Sequence, residues 1–373
     1  MTLIVKEVKG ARELRTYVHL PEKIHKGHRN WVPPIYMDEW QYYNPEKNKS
    51  FSYCDTLLLI AYQEQRPVGR IMGIINHKYN NAHNENHARF SCMECYNDPD
   101  VAAALLNHLE DWARSKGMEK IVGPLGFSDK DPQGFLVEGF HEPMVIATNC
   151  NYPYMTDLLV ANRYVKKIDL VVYKVDIPDK VPEIYQKISE RAITRHQLSV
   201  IEFNKKRQLK PMIRPVLELV NETFADIYGF NPMDEKEMDD LAARYMPILD
   251  PRFIKCIRNN QNELVAFFIG MPDMSKGIIR SKGYLLPFGI FYILRSAKIT
   301  KQLNLMLGAI REDYRNIGLD AIMAIKMIES AKKAGFEYVD SHLELEDNFK
   351  VRAEMERMGG KIYKRYRIFT KDL

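Results

Sequence analysis

Two segments of this chain, 101–124 (VAAALLNHLEDWARSKGMEKIVGP) and 319–342 (LDAIMAIKMIESAKKAGFEYVDSH), align without a gap and constrain the fold more than any other feature. Each places apolar residues three and four apart, as a helix buried on one face requires. Each then stops at a glycine, Gly117 or Gly335, and continues into Glu and a short apolar strand. The two glycines stand 218 positions apart, whereas the next matching pair, Asn151 and Asn348, stand 197 apart. The first unit therefore carries about 21 additional residues, near 125–150. Upstream, 57–76 and 255–272 each read as two strands joined by a polar turn. Four elements in the same order predict an internal duplication, with an α/β architecture of mixed sheets in each unit.

At 373 residues the chain is too long for one ordinary core, which agrees with two domains. The expected limits are 1–176 for the first, 177–214 for a connecting segment with two prolines near its start, and 215–373 for the second. The composition, 46% apolar and 28% charged, excludes a disordered chain. A net charge of +5 fits an anionic cofactor or membrane surface as well as nucleic acid. Five cysteines, an odd number, predict a reducing compartment without a disulfide framework. The N-terminus turns charged too early for a signal peptide, and the apolar run 284–294 is too short to span a bilayer. A soluble, cytoplasmic protein is the expectation.

The chemistry concentrates in 303–369. A strand (303–310) leads through Arg311-Glu312-Asp313-Tyr314-Arg315-Asn316-Ile317-Gly318 into a long helix, followed by a strand (337–343), a helix after Asn348 and a basic last strand (361–369). Arg315 and Gly318 directly before a helix suit an anion: the glycine allows close backbone approach, and the helix start offers free N–H groups. The first unit has Asn97-Asp98-Pro99-Asp100 at the matching place, where carboxylates repel an anion.

This order of elements, with Arg315-Asn-Ile-Gly318 and Asn348, resembles the GCN5-related N-acetyltransferase superfamily, whose Gln/Arg-x-x-Gly-x-Gly/Ala loop holds the pyrophosphate of acyl-CoA. The resemblance implies two tandem domains of that fold and an acyltransferase that uses acetyl-CoA or a longer acyl-CoA, with no metal. It places Leu307, Ala309, Arg315, Asn316, Ile317, Gly318 and Asn348 against the donor. Asp320 stands where the family has a small residue, and Met355 where it often has a tyrosine acid; Tyr363 or Tyr366 are the substitutes at hand.

The insertion 123–143 is rich in glycine, proline, aromatics and acids, with no regular period. Such a loop either roofs an acceptor site or is a structural Ω-loop. In the first case Asp131, Glu138 and His141 are the candidate bases, and Ser128, Asn151 and Tyr154 the candidate substrate-binding groups. Trp31-Val-Pro-Pro, Gly123-Pro, Gly134-Phe-Leu-Val-Glu-Gly-Phe140 and Asn151-Tyr-Pro-Tyr further resemble a bacterial family of tandem acetyltransferase-like proteins, some linked to N-acylation of sphingoid bases as ceramide synthases. The expected partner is then a small-molecule or lipid amine. In that setting the run 284–294, flanked by Lys282 and Arg295, suits an acyl-chain tunnel or a peripheral membrane contact, or else a buried element.

Other signals carry less. Cys92-Met-Glu-Cys95 lacks a second pair and reads as buried thiols; His77, His83 and His87 read as loop residues. Glu94, on the first unit's fourth strand, ranks below Glu138 as a base. The basic end 361–367 lacks a second basic patch, which argues against nucleic acid. Two alternatives remain: an aminoacyl-tRNA-dependent transferase of the peptidoglycan-bridge type, and a catalytically silent acyl-CoA-binding protein.

Overall fold

The structure, a computed structural model, describes residues 2–225 and 227–373. The first half contains β1 (Leu3–Glu7), α1 (Ala11–Ile24), α2 (Tyr36–Tyr42), β2 (Cys54–Gln63), β3 (Arg66–Asn76), α3 (His77–His83), β4 (His87–Cys95), α4 (Pro99–Ser115), β5 (Lys120–Gly123), β6 (Phe135–Glu138), α5 (Tyr154–Ala161) and β7 (Val165–Asp176). The second half repeats this order. It runs α6 (Glu183–His196), β8 (Ser199–Glu202), α7 (Ile213–Thr223), α8 (Glu235–Tyr245), β9 (Ile254–Arg258), β10 (Leu264–Pro272), α9 (Ser275–Ser281) and α10 (Gly289–Ile299). It closes with β11 (Gln302–Ile310), α11 (Leu319–Ala334), β12 (Tyr338–Asp340), β13 (Glu344–Leu345), α12 (Phe349–Arg357) and β14 (Lys361–Asp372).

The fourteen strands of the described residues join one sheet, whose main path runs β1-β2-β3-β4-β5-β14-β7-β12-β11-β10-β9-β8. The halves exchange their last strands. β14 lies between β5 and β7, and β7 lies between β14 and β12. The β7–β14 ladder runs antiparallel from Val165–Thr370 to Lys174–Lys361 and forms the seam. Leu170 to Tyr173 of β7 are all buried, the continuous apolar pattern of a strand covered on both faces. Polar ties cross the seam too: Arg367 grips Asp169 through two hydrogen bonds of 2.7 and 3.0 Å.

Helices α4 and α11 pack on the sheet as their period requires. α4 buries Val101, Leu105, Leu106 and Leu109; α11 buries Leu319, Ile322 and Met323. The 177–214 stretch carries α6 and the edge strand β8, and α6 packs along α11. The sequence-predicted strand 337–343 is shortened to β12, because His342 takes a left-handed φ of 60° and turns the chain before β13 begins at Glu344. Residues 284–294 form no buried element: they include most of α10, and Leu286 is 81% exposed. Among the described residues, no helix is long and apolar enough to cross a membrane.

Candidate donor and acyl-chain site

In the second half two parallel strands separate. β11 and β12 pair only from Gln302–Tyr338 to Asn304–Asp340. Beyond that, β11 follows β10 to Ile310, while the other strand turns at His342 and β13 pairs with β7, Glu344 opposite Val171. On β10, Ile269 faces Leu307 and Gly270 faces Leu305, so Met306 is the extra residue of a bulge. The result is a wedge with loosened backbone along one wall.

The loop above the wedge suits an anion. Asn316 and Gly318 both have positive φ, 64° and 98°, and no side chain caps the start of α11. Successive N–H groups in such a turn converge on a concavity that favours negative charge. Gly318 is required on a second ground: a Cβ there would lie 2.7 Å from Ile188 Cγ2 of α6. Arg311 is occupied by Asp313 and Glu263. Arg315 is exposed, its Nε donates to Ile310 O at 3.3 Å, and it forms no ion pair among the described residues.

The first half is built from the same elements but is closed. Asp98 caps α4 by accepting from the N–H groups of Asp100 (3.0 Å) and Val101 (3.3 Å), filling the place an anion would take. Its wedge, between β4 and β5, is plugged by the start of the insertion. Leu125 N–H donates to Phe90 O at 2.8 Å, and Arg89 donates to the carbonyls of Gly126 and Phe127.

A cavity of about 1150 Å³ opens at the foot of the second wedge. Leu305–Ile310 of β11 and Ser341–Leu345 form two walls; Arg315, Asn316, Asp320 and Asn348 stand on its rim. The far wall is apolar, with Met212, Val216 and Leu217 of the α7 region and Leu241 and Met246 near α8. The insertion reaches it through Asp129, Lys130, Asp131 and Gln133. A volume of this size suits a drug-sized or chain-like ligand better than an acetyl group alone.

Burial sorts the titratable groups of this cavity. It raises the Glu344 carboxyl to about 8. It lowers His342, against the pull of Asp340 and with the repulsion of Lys364, and among the described residues His342 Nδ1 has no hydrogen-bond partner. Burial also raises Asp131, which accepts from Ser128 N–H (3.3 Å) and Tyr42 OH (3.4 Å). Tyr185 of α6 lines the cavity with a buried hydroxyl that has no hydrogen-bond partner among the described residues.

The sequence-predicted residues divide clearly. Leu307, Ala309, Arg315, Asn316 and Asn348 line the cavity; Gly318 heads α11, and Ile317 packs into the core beside Leu319. Asn348 also caps α12, accepting from Val351 N–H at 3.5 Å. Of the candidate bases, Asp131 lines the cavity, whereas Glu138 is exposed on β6 and paired with Arg365, and His141 is exposed and paired with Glu142. Ser128 adjoins Asp131. Asn151 is spent on the Leu136 backbone and Tyr154 OH on Cys95 O, so both serve the fold outside the cavity. Glu94 is held by Arg70 (3.4 Å) and His25 (3.8 Å). Met355 lines the cavity where a tyrosine acid is usual; Tyr363 is bound to Asp340, and Tyr366 is buried against Met144. His342, Glu344 and Tyr185 were not singled out by sequence. The only signal was the alternation His342-Leu343-Glu344 at the end of a strand.

No protein-family model matches this chain. It is 26% identical to the bacterial ceramide synthase of Caulobacter vibrioides, over 100% of this chain and 98% of that protein. It is 23% identical to protein YghO of Escherichia coli, over 99% and 95%. Among solved structures, a tandem GNAT protein from the clavulanic acid biosynthesis pathway superposes with a TM-score of 0.56 at 11% identity, covering 100% of this chain and 98% of that one. The exchanged sheet, the single open wedge and this full-length superposition establish that the chain has the tandem GCN5-related N-acetyltransferase fold.

Proposed function

We propose that this protein is an N-acyltransferase that takes a long acyl group from CoA in its second half and transfers it to a lipid amine of the sphingoid type. The observation that carries the reading is the uncapped, positive-φ start of α11 opening onto a large apolar cavity. The printed name of the Caulobacter relative supports the acceptor class.

In this reading Arg315 and the α11 N–H groups hold the pyrophosphate, and Asn316 and Asn348 line its approach. The backbone of β11 around the Met306 bulge faces the thioester carbonyl and stabilises the charge that develops there. Neutral His342 takes the proton released as the amine attacks. Glu344, still protonated near neutral pH, returns a proton to the departing thiolate, the task that Met355 cannot perform.

Titration calorimetry with palmitoyl-CoA tests the binding half. Arg315→Ala removes a charged contact of about 1.5–3 kcal/mol, so binding weakens roughly ten- to hundredfold. A thiol-release assay with a sphingoid-type amine tests the chemical half. His342→Ala and Glu344→Gln each lower turnover by about two orders of magnitude or more while donor binding holds. Donor binding without thiol release from any long-chain amine would replace this reading by that of a silent acyl-CoA-binding protein.

A further inference from the structure

The connection between β10 and β11, where the first half has only α3, is a helical pair carrying an exposed apolar ridge. Leu286 is 81% exposed, Phe288 68%, Phe291 62% and Ile290 52%, with Tyr284 and Leu294 beside them. Monomeric surfaces scatter large apolar residues singly; a contiguous set on one protrusion marks an interaction face. The ridge is rigid. A Cβ on Gly277 would lie 2.5 Å from Tyr292 O, so α9 and α10 touch backbone to backbone. The first half anchors it through Tyr36 N–H to Gly283 O (3.1 Å) and Tyr284 OH to Glu22 (3.1 Å).

Charge identifies the occupant. Between 274 and 301 the chain has no Asp or Glu, while Lys276, Arg280, Lys282, Arg295 and Lys298 are all exposed. Among the described residues none of these five forms an ion pair. Apolar side chains at the crest with unpaired cations around them match the boundary of an anionic bilayer: chains enter the headgroup layer and cations meet lipid phosphate. At the base of the ridge, Met271 and Met306 pack into the core under α9 and α10 and also line the cavity.

We propose that the α9–α10 ridge docks this protein on an anionic lipid surface, inserting Leu286, Phe288, Ile290 and Phe291 among the headgroups. The docking rests on the ridge alone and is measured without acyl-CoA, so it stands or falls separately from the donor site. The test is co-sedimentation of the full chain with vesicles of phosphatidylglycerol or of phosphatidylcholine. The expected result is binding to the anionic vesicles, lost at high salt, and reduced at least roughly tenfold by Leu286→Asp with Phe288→Asp. Lys276→Glu with Arg280→Glu and Lys282→Glu reduces it to a similar degree. Because the variants alter exposed positions, melting temperatures near wild type accompany these losses. Hydrogen exchange of the unaltered protein on vesicles supplies an independent readout, with protection gained over 284–294. The proposal is overturned by failure to bind phosphatidylglycerol vesicles or by equal binding of the variants. A dimer in solution that Phe288→Asp abolishes also overturns it, since a second copy then covers the ridge.

Discussion

His342, at the turn that leaves β12, and Glu344, at the start of β13, stand two positions apart, and burial drives both toward their neutral forms. For Glu344 this has a measurable consequence. Its ordinary value is 4.5 and its folded value about 8, so between those limits the folded state keeps a proton that the unfolded chain has lost. Stability from this group therefore erodes as pH rises through that window. Melting curves of Glu344→Gln should match wild type at pH 4 and lie increasingly above it toward pH 8; parallel curves would contradict the burial of this carboxyl. At the rim, burial and the Asp320 charge together hold Glu354 above its usual range. Asp320→Asn removes a negative charge beside the anion loop and is expected to tighten acyl-CoA binding several-fold, measured by calorimetry. Arg315 and Gly318 stood out in the sequence because a glycine-bearing loop directly before a helix is a local pattern. His342 and Glu344 did not, because what perturbs them is desolvation at the wall of a cavity that distant parts of the chain enclose. Glu138 and His141 had the right chemistry, yet their side chains point to solvent and to nearby charges.

Apart from α6 and α10, elements repeat between the halves, and their ends determine which half is open. α4 begins with Asp98 bound to its own N–H groups, whereas α11 begins with Gly318 and no cap. Gly318→Ala forces a side chain into left-handed backbone, costing roughly 1–2 kcal/mol before the contact with Ile188 is counted. Thermal unfolding should report that loss, and a variant as stable as wild type would show that α6 does not cover the loop. The plug is equally specific. Arg89→Ala leaves the carbonyl of Gly126 without its donor, while Phe127 O keeps Asn76 and Asn231, with an expected loss of about 1–3 kcal/mol by denaturant titration. Helix, glycine stop and strand could be read twice from sequence because each is encoded within about twenty residues. The conformation of the insertion could not, since it is held by partners on β4 and beyond.

At the scale of the molecule the exchange of β7 and β14 makes one sheet of two repeats. No residue pattern announces it: β7 and β14 each read as an ordinary last strand of its own unit. A fragment ending at residue 176 keeps β7 but loses all three of its strand partners, β14, β12 and β13. Fragments 1–176 and 177–373 produced separately should therefore lack cooperative unfolding transitions, while the full chain shows a single one by calorimetry. Asp131 from the first half and His342 and Glu344 from the second line one cavity. The most direct test of that arrangement is a crystal structure with a long-chain acyl-CoA. The account predicts the pyrophosphate at Arg315 and the start of α11, with the acyl chain between β11 and the Ser341–Leu345 segment. A pyrophosphate on α4, or a chain lying outside the cavity, would contradict it.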